Sequence, residues 1–289
     1  MRGFRIPLAE PFRGQTHRTG FVVEGRTGWA ECSPFPGHSD PVVCEGSARS
    51  VADESWPAPV RDRVAVCALV PACDPRRAAR IVAESGCSGA KVKVGDPGSV
   101  ARVAAVRGAL GDDGKIRIDA NGAWEVEKAA EMIRSLSAFN LEFVEQPVAT
   151  LAGFARLKDL VDVPLAADEL IVSPETFRHC ARSGVVDVLV ARVQHLGGVN
   201  AALELINAAG LPVVVSSLIE TSIGLSAGVA LAAAMPELHH ASGLGTAAML
   251  SGDIVDEPLL PSEGWLQVRR PEVNEEKLRY WEVASGVAT

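Results

Sequence analysis

Short runs of β-branched and other apolar residues recur along most of the chain, each closed by polar or small residues. They are Val64 to Val66, Ala90 to Val94, Ile116 to Asp119, Leu141 to Glu145, Leu165 to Asp168, Val188 to Val193, Val213 to Ser216 and a weaker one from His240 to Gly243. Marked at Val66, Lys93, Asp119, Glu145, Asp168, Arg192, Ser216 and Gly243, they are spaced 27, 26, 26, 23, 24, 24 and 27 residues apart. Each interval has room for one strand and one helix. The segments between carry helical spacing and start signals: Asp74-Pro75 before RRAARIVAES, Trp124-Glu125 before VEKAAEMIRSL, and Ser173-Pro174 before ETFRHCARS. Alternating strands and helices predict parallel strands joined by right-handed crossovers. Eight such units, apolar nearly throughout each strand, predict an α/β fold: a closed (β/α)8 barrel of the TIM type over residues 61–252. No G-x-G-x-x-G follows the first run, which counts against a dinucleotide-binding sheet.

Before Arg61 the texture changes. Alternating runs at Phe4 to Leu8 and Thr19 to Val23, then Gly28 to Glu31 and a proline-rich stretch, predict a small antiparallel sheet within an N-terminal α+β capping domain of residues 1–60. The tail, residues 253–289, lies beyond the barrel count and is expected to pack back on that cap and complete it.

Composition narrows the function. The chain of 289 residues is 47% hydrophobic and 22% charged, enough to bury a large core. Its net charge of −8 repels polyphosphate, so nucleic acid is not an expected partner. The most apolar stretch, Ile223 to Met235, falls short of a membrane span and reads as a buried helix. The N-terminus lacks an apolar core and cleavage site for secretion, so a cytoplasmic location is expected. Cys32, Cys44, Cys67, Cys73, Cys87 and Cys180 form no C-x-x-C pair and are read as reduced thiols without metal.

In a (β/α)8 barrel the site lies at the C-terminal strand ends, so the polar residue closing each run carries the chemistry. Consecutive units end in Lys91 and Lys93, Asp119, Glu145, Asp168 and Arg192. Strand period two sends Lys91 and Lys93 to the same side, into the barrel mouth. Three carboxylates on neighbouring strands repel one another unless a cation sits among them, and hard oxygen donors suit Mg2+. A divalent cation facing a lysine and an arginine suits abstraction of a proton next to a carboxylate, the resulting enediolate being held by positive charge. The expected substrate is a small-molecule carboxylate.

The motifs AKVKV (Ala90 to Val94), RIDANGAW (Arg117 to Trp124), EFVEQP (Glu142 to Pro147), AADE (Ala166 to Glu169), VQHLGGV (Val193 to Val199) and VVVSSLIETSIGL (Val213 to Leu225) resemble the enolase superfamily. Within it they are most similar to the o-succinylbenzoate synthases of actinobacterial type, over nearly the whole chain. The resemblance implies that Asp119, Glu145 and Asp168 are Mg2+ ligands, Lys93 the general acid/base and Lys91 its supporting cation. It also implies syn dehydration of 2-succinyl-6-hydroxy-2,4-cyclohexadiene-1-carboxylate to o-succinylbenzoate in menaquinone synthesis. Asn121 is expected beside the metal and substrate, and Trp124 in packing. Ser216, Ser217, Gly197 and Gly198 are expected to hold the succinyl carboxylate, and Arg18 to lie on a loop closing over the substrate.

One departure stands out: the family has Lys-Val-Gln where this chain has Arg192-Val193-Gln194. Arginine stays protonated and cannot act as a base, though it can stabilise an anion. One lysine suffices for a syn elimination, whereas racemases need a base on each face. A muconate-type cycloisomerase, an N-acylamino acid racemase and a catalytically impaired homologue stay open as alternatives.

Overall fold

The computed structural model describes residues 1–283; the final part of the expected C-terminal segment, 284–289, lies outside the described residues. Strands β1 (Arg2–Phe12), β2 (Gln15–Gly25) and β3 (Gly28–Cys32) form an antiparallel meander, followed by α1 (Pro41–Asp53). Helix α1 starts where Asp40 accepts from the amides of Val42 and Val43 and Pro41 needs no partner for a missing N–H.

The chain then runs through β4 (Arg63–Ala65), β5 (Ala68–Val70), α2 (Pro75–Ser85), β6 (Gly89–Lys93), α3 (Ser99–Leu110), β7 (Lys115–Asp119) and α4 (Val126–Leu136). It continues through β8 (Leu141–Glu145), α5 (Leu151–Lys158), β9 (Leu165–Ala167), α6 (Pro174–Arg182), β10 (Val188–Ala191), α7 (Val193–Leu196), α8 (Val199–Ala209), β11 (Val213–Val215) and α9 (Ser222–Ala234). Strands β5 to β11 lie in chain order in one parallel sheet. Parallel bridges Val66 to Ser242 and Ser216 to Gly243 close that sheet into a barrel, so the eighth strand is reduced to two residues.

The first expected strand, Val64 to Val66, is divided. β4 pairs antiparallel with β12 (Trp265–Gln267), and the parallel partner of β6 is β5, further along the chain. The physical reason is a change of partner within two residues: the Val66 amide donates to the Gly264 carbonyl, the Cys67 amide to that of Ser242. After β12 come α10 (Glu275–Trp281) and β13 (Glu282–Val283), which pairs antiparallel with β1. The C-terminal segment therefore touches both the barrel and the N-terminal sheet.

Phe143, Ala166, Val188 and Val214 pack as an apolar layer inside the barrel, beneath its mouth. All 13 residues of α9 are buried, as its uniformly apolar sequence requires. All six cysteines are free. No helix among the described residues is long and apolar enough to cross a membrane.

Two carboxylates meet the N-terminus of α9. Glu31, on β3, accepts from the amides of Thr221 and Gly224 at 3.1 and 3.2 Å, from the Thr221 hydroxyl, and from the Ser33 hydroxyl at 2.6 Å. Asp253 accepts from the Ser222 hydroxyl at 2.6 Å and its amide at 3.1 Å. Unsatisfied amides and the helix dipole both favour acids here. Glu31→Ala orphans buried donors and is expected to lower the unfolding free energy by about 2–4 kcal/mol, read from urea denaturation. Burial pushes the Glu31 carboxyl up to about 7 from an ordinary 4.5. Between those values the native state keeps a proton that the unfolded chain has released, so stability falls as pH rises through the interval. Glu220, pushed up to about 8 by burial, adds a decline of the same sign. Glu31→Gln is therefore expected to show a shallower decline than the wild type; equal slopes in paired pH titrations of stability count against this account.

Candidate active site

Period two on β6 turns Lys91 and Lys93 to the barrel interior, and the strand ends that follow add Asp119, Glu145, Asp168 and Arg192. A cavity of about 600 Å3 opens above them, between the barrel mouth and the turn joining β1 to β2. Phe12, Arg13, Phe35, Lys91, Lys93, Asn121, Asp168, Glu169, Arg192, Ser216, Ser217, Leu218 and Ile219 line it. Asp119 and Glu145 are buried beneath its floor.

The charges interlock. Lys91 Nζ lies 2.6 Å from Glu145 and 2.9 Å from Asp119. Lys93 Nζ donates to Asp119 at 2.5 Å and to Asn121 Oδ1 at 2.8 Å. Arg192 binds both oxygens of Asp168, Nη2 to Oδ2 at 2.7 Å. Burial alone would discharge Lys91, but Asp119 and Glu145 outweigh it and hold its pKa above the ordinary lysine value. For Lys93 the balance reverses: burial, with the Lys91 charge alongside, pulls its pKa below the usual value. Burial likewise opposes ionisation of Asp119 and Asp168, yet the lysines hold Asp119, and Arg192 holds Asp168, well below the carboxylate range. Burial pushes Glu145 up to about 8, and the charges of Asp119 and Asp168 add to the rise. The two lysines of one strand thus differ: neighbouring carboxylates hold the Lys91 pKa up, whereas burial pulls that of Lys93 down.

Several supports escaped the strand-end reasoning. Gln146 Oε1 accepts from the Asp168 amide at 2.9 Å, fixing that strand end. Asn121 bridges Lys93 to Glu169, donating to Glu169 Oε1 at 2.9 Å, and Arg13 reaches the same oxygen at 2.8 Å from the β1–β2 turn. Glu169 directly follows Asp168 in AADE, so adjacency was its only signal; Arg13 and Phe12 sit at a turn that no periodicity marks. Arg13, Asn121, Gln146 and Ile219 all hold positive φ without being glycine, a concentration of backbone strain around the cavity.

Ser216 and Ser217 line the cavity as expected for rim residues; Ser217 Oγ lies 2.8 Å from Thr246 Oγ1. Trp124 is in the core. Gly197, Gly198 and Arg18 stand outside the cavity wall, unlike their expected placement. The Gly197 amide donates to Ser47 Oγ on α1 at 3.0 Å, and a Cβ on Gly198 would meet Ser50 Cβ at 3.0 Å. These glycines allow α1 to approach α7. Arg18 belongs to β2, not to a loop, and is 2% exposed.

The donor set fits Mg2+ in chemistry: three oxygen-bearing acids on adjacent strand ends. They turn toward Lys91, Lys93 and Arg192, and among the described residues no three Asp, Glu, His or Cys side chains enclose a common point. Enclosing a cation requires Asp119 and Asp168 to turn partly away from Lys93 and Arg192.

Residues 74–272 match the family described as Enolase C-terminal domain-like, and residues 4–45 that described as Enolase N-terminal domain-like. The chain is 52% identical to an o-succinylbenzoate synthase of Thermobifida fusca, over 98% of this chain and 91% of the relative. It is 40% identical to one of Mycolicibacterium smegmatis, over 91% and 84%. Among solved structures, N-succinyl Arg/Lys racemase from Bacillus cereus superposes with a TM-score of 0.86 at 21% identity, over 98% of this chain and 96% of the other. Muconate lactonizing enzyme from Pseudomonas fluorescens does so with 0.85 at 21%, over 98% and 97%. Those two likenesses establish the barrel and its cap. With the full-length sequence identity added, the chain belongs to the enolase superfamily and, within it, to the o-succinylbenzoate synthase family of lyases.

Proposed function

We propose that this cavity dehydrates 2-succinyl-6-hydroxy-2,4-cyclohexadiene-1-carboxylate to o-succinylbenzoate, in the direction of menaquinone. The observation that carries the reading is the opposition of one proton-shuttling lysine, Lys93, to one permanent cation, Arg192, across three strand-end carboxylates. Identity of 52% to a protein of that name supports the choice of substrate.

Mg2+ on Asp119, Glu145 and Asp168 would supply the charge that makes the hydrogen beside the substrate carboxylate acidic. Neutral Lys93 Nζ takes that proton. The C–H electron pair becomes the new C=C bond as the C–O bond on the same face breaks, and the departing hydroxyl takes the proton from Lys93 and leaves as water. Lys93 ends neutral, as it began. Lys91 stays an ammonium between Asp119 and Glu145 and keeps Lys93 from holding its proton too tightly. Arg192 offers positive charge from the opposite strand and has no proton to exchange, which favours a one-base elimination over racemisation. Ser216 and Ser217, which line the cavity, would hold the distal carboxylate, and the Phe12 ring lies over Lys93 Nζ at 5.9 Å from its centroid.

Purified protein with Mg2+ and the cyclohexadiene is expected to convert it, followed by ultraviolet absorbance; no conversion overturns the reading. Lys93→Ala is expected to cost about 10²–10⁴-fold in kcat, the usual worth of a positioned acid/base. A loss under tenfold removes Lys93 from the chemistry. Each of Asp119→Ala, Glu145→Ala and Asp168→Ala is expected to weaken Mg2+ binding in calorimetry, and undiminished binding in all three defeats the metal assignment.

Arg192→Lys is expected to retain turnover, whereas Arg192→Met loses roughly 10²-fold, the scale of one charge stabiliser. In D2O, α-proton exchange of an N-succinylamino acid is expected for only the enantiomer facing Lys93. Rapid exchange of both would restore the racemase alternative, and a wild type that Arg192→Lys switches on would identify an impaired homologue.

A further inference from the structure

Arg18 is among the largest fully buried side chains of the protein, yet no carboxylate lies within salt-bridge distance among the described residues. Its guanidinium is spent on backbone carbonyls from two parts of the chain. Nη2 donates to Ser33 at 2.5 Å, beyond β3, and Nε donates to Ile219 at 3.1 Å, beyond β11. It also lies over the Phe35 ring, 4.9 Å from the centroid. Phe35, Leu218 and Ile219 are all part of the cavity wall.

Ile219 has φ +63, a conformation that a β-branched residue holds only when its surroundings leave no other choice. The surroundings are specific. Its carbonyl is bound by Arg18, the Leu218 amide donates to Glu220 Oε1 at 3.1 Å, and the Thr221 amide is taken by Glu31. Burial lowers the Arg18 pKa, while Glu31 and Glu220 oppose that shift by their charge. One residue earlier, the Ser217 carbonyl faces Arg192 Nε at 3.4 Å.

We propose that Arg18 is a positioning residue that fixes the Leu218–Ile219 wall and Phe35 as one surface, and thereby sets how tightly the cavity holds the part of its substrate remote from Lys93. Arg18 touches no substrate. It acts by keeping Ile219 in the left-handed conformation, so a loosened clamp blurs the wall without disturbing the lysines. The substrate's identity rests on the function proposed above; the clamp itself does not.

The test uses wild type, Arg18→Met and Arg18→Lys. Hydrogen–deuterium exchange without ligand reads the clamp directly: Arg18→Met is expected to speed exchange in peptides covering Leu218 to Thr221 by about tenfold or more, leaving those of α3 and β7 unchanged. With the cyclohexadiene substrate, KM is expected to rise about tenfold while kcat stays within about threefold, Arg18→Lys falling between. Unchanged exchange, or a fall in kcat with KM unaltered, overturns the proposal. If Arg18→Met does not fold, Arg18→Lys decides: it keeps the charge but loses the guanidinium fork, so faster exchange over Leu218 to Thr221 is expected, and unchanged exchange refutes the clamp. If wild type turns over no substrate, the function proposed above has failed and the exchange measurement still judges Arg18.

Discussion

Three acids buried at the ends of adjacent strands demand nearby cations if they are to ionise in a low dielectric; Lys91, Lys93 and Arg192 meet that demand for Asp119 and Asp168, while burial still pushes Glu145 up to about 8. The demand shapes everything around it. It places a lysine at alternate positions of β6, so that one is consumed in compensation and the other is left responsive. It sets an arginine against both oxygens of Asp168, with the charge of Lys91 adding to the effect. Gln146, which holds the Asp168 strand end by its backbone, and Asn121, which accepts from Lys93, are uncharged amides and leave the balance undisturbed.

The barrel mouth is roofed from outside the barrel. Arg13 on the β1–β2 turn holds Glu169, and Glu31 on β3 holds the start of α9, so the meander is tied to two different strand ends by hydrogen-bonded charge. Positive-φ residues gather at these junctions. Strain of this sort persists only where several contacts agree on one conformation, and here the agreeing contacts come from sequence-distant elements.

That distance separates what was legible in the sequence from what was not. Strand and helix alternation is local, so the (β/α)8 barrel could be read from spacing, and period two alone put Lys91 and Lys93 on one side. The carboxylates were legible because each closes a run. Arg18, Gly197 and Gly198 were misplaced because their environments depend on how α1 and the meander dock, a matter of tertiary contact: a buried arginine on a strand and an exposed one on a loop look alike in a line of letters. The division of the first strand into β4 and β5 hinges on Gly264 and Ser242, far downstream of it. Glu169 was hidden by its neighbour, since a second acid after a strand end reads as solvated until its partners are seen.

The N-terminus of α9 accepts one carboxylate from residue 31 and another from residue 253. On a ribosome the chain emerges with Glu31 first, waits through almost the whole barrel for Thr221 to appear, and waits again for Asp253. Until then α9 has only the Thr221 hydroxyl to cap it, and its first amides lack their carboxylate partners. The joint between the roof and the barrel is thus assembled from residues far apart in the chain around a late middle, so its full set of contacts exists only once Asp253 has been made.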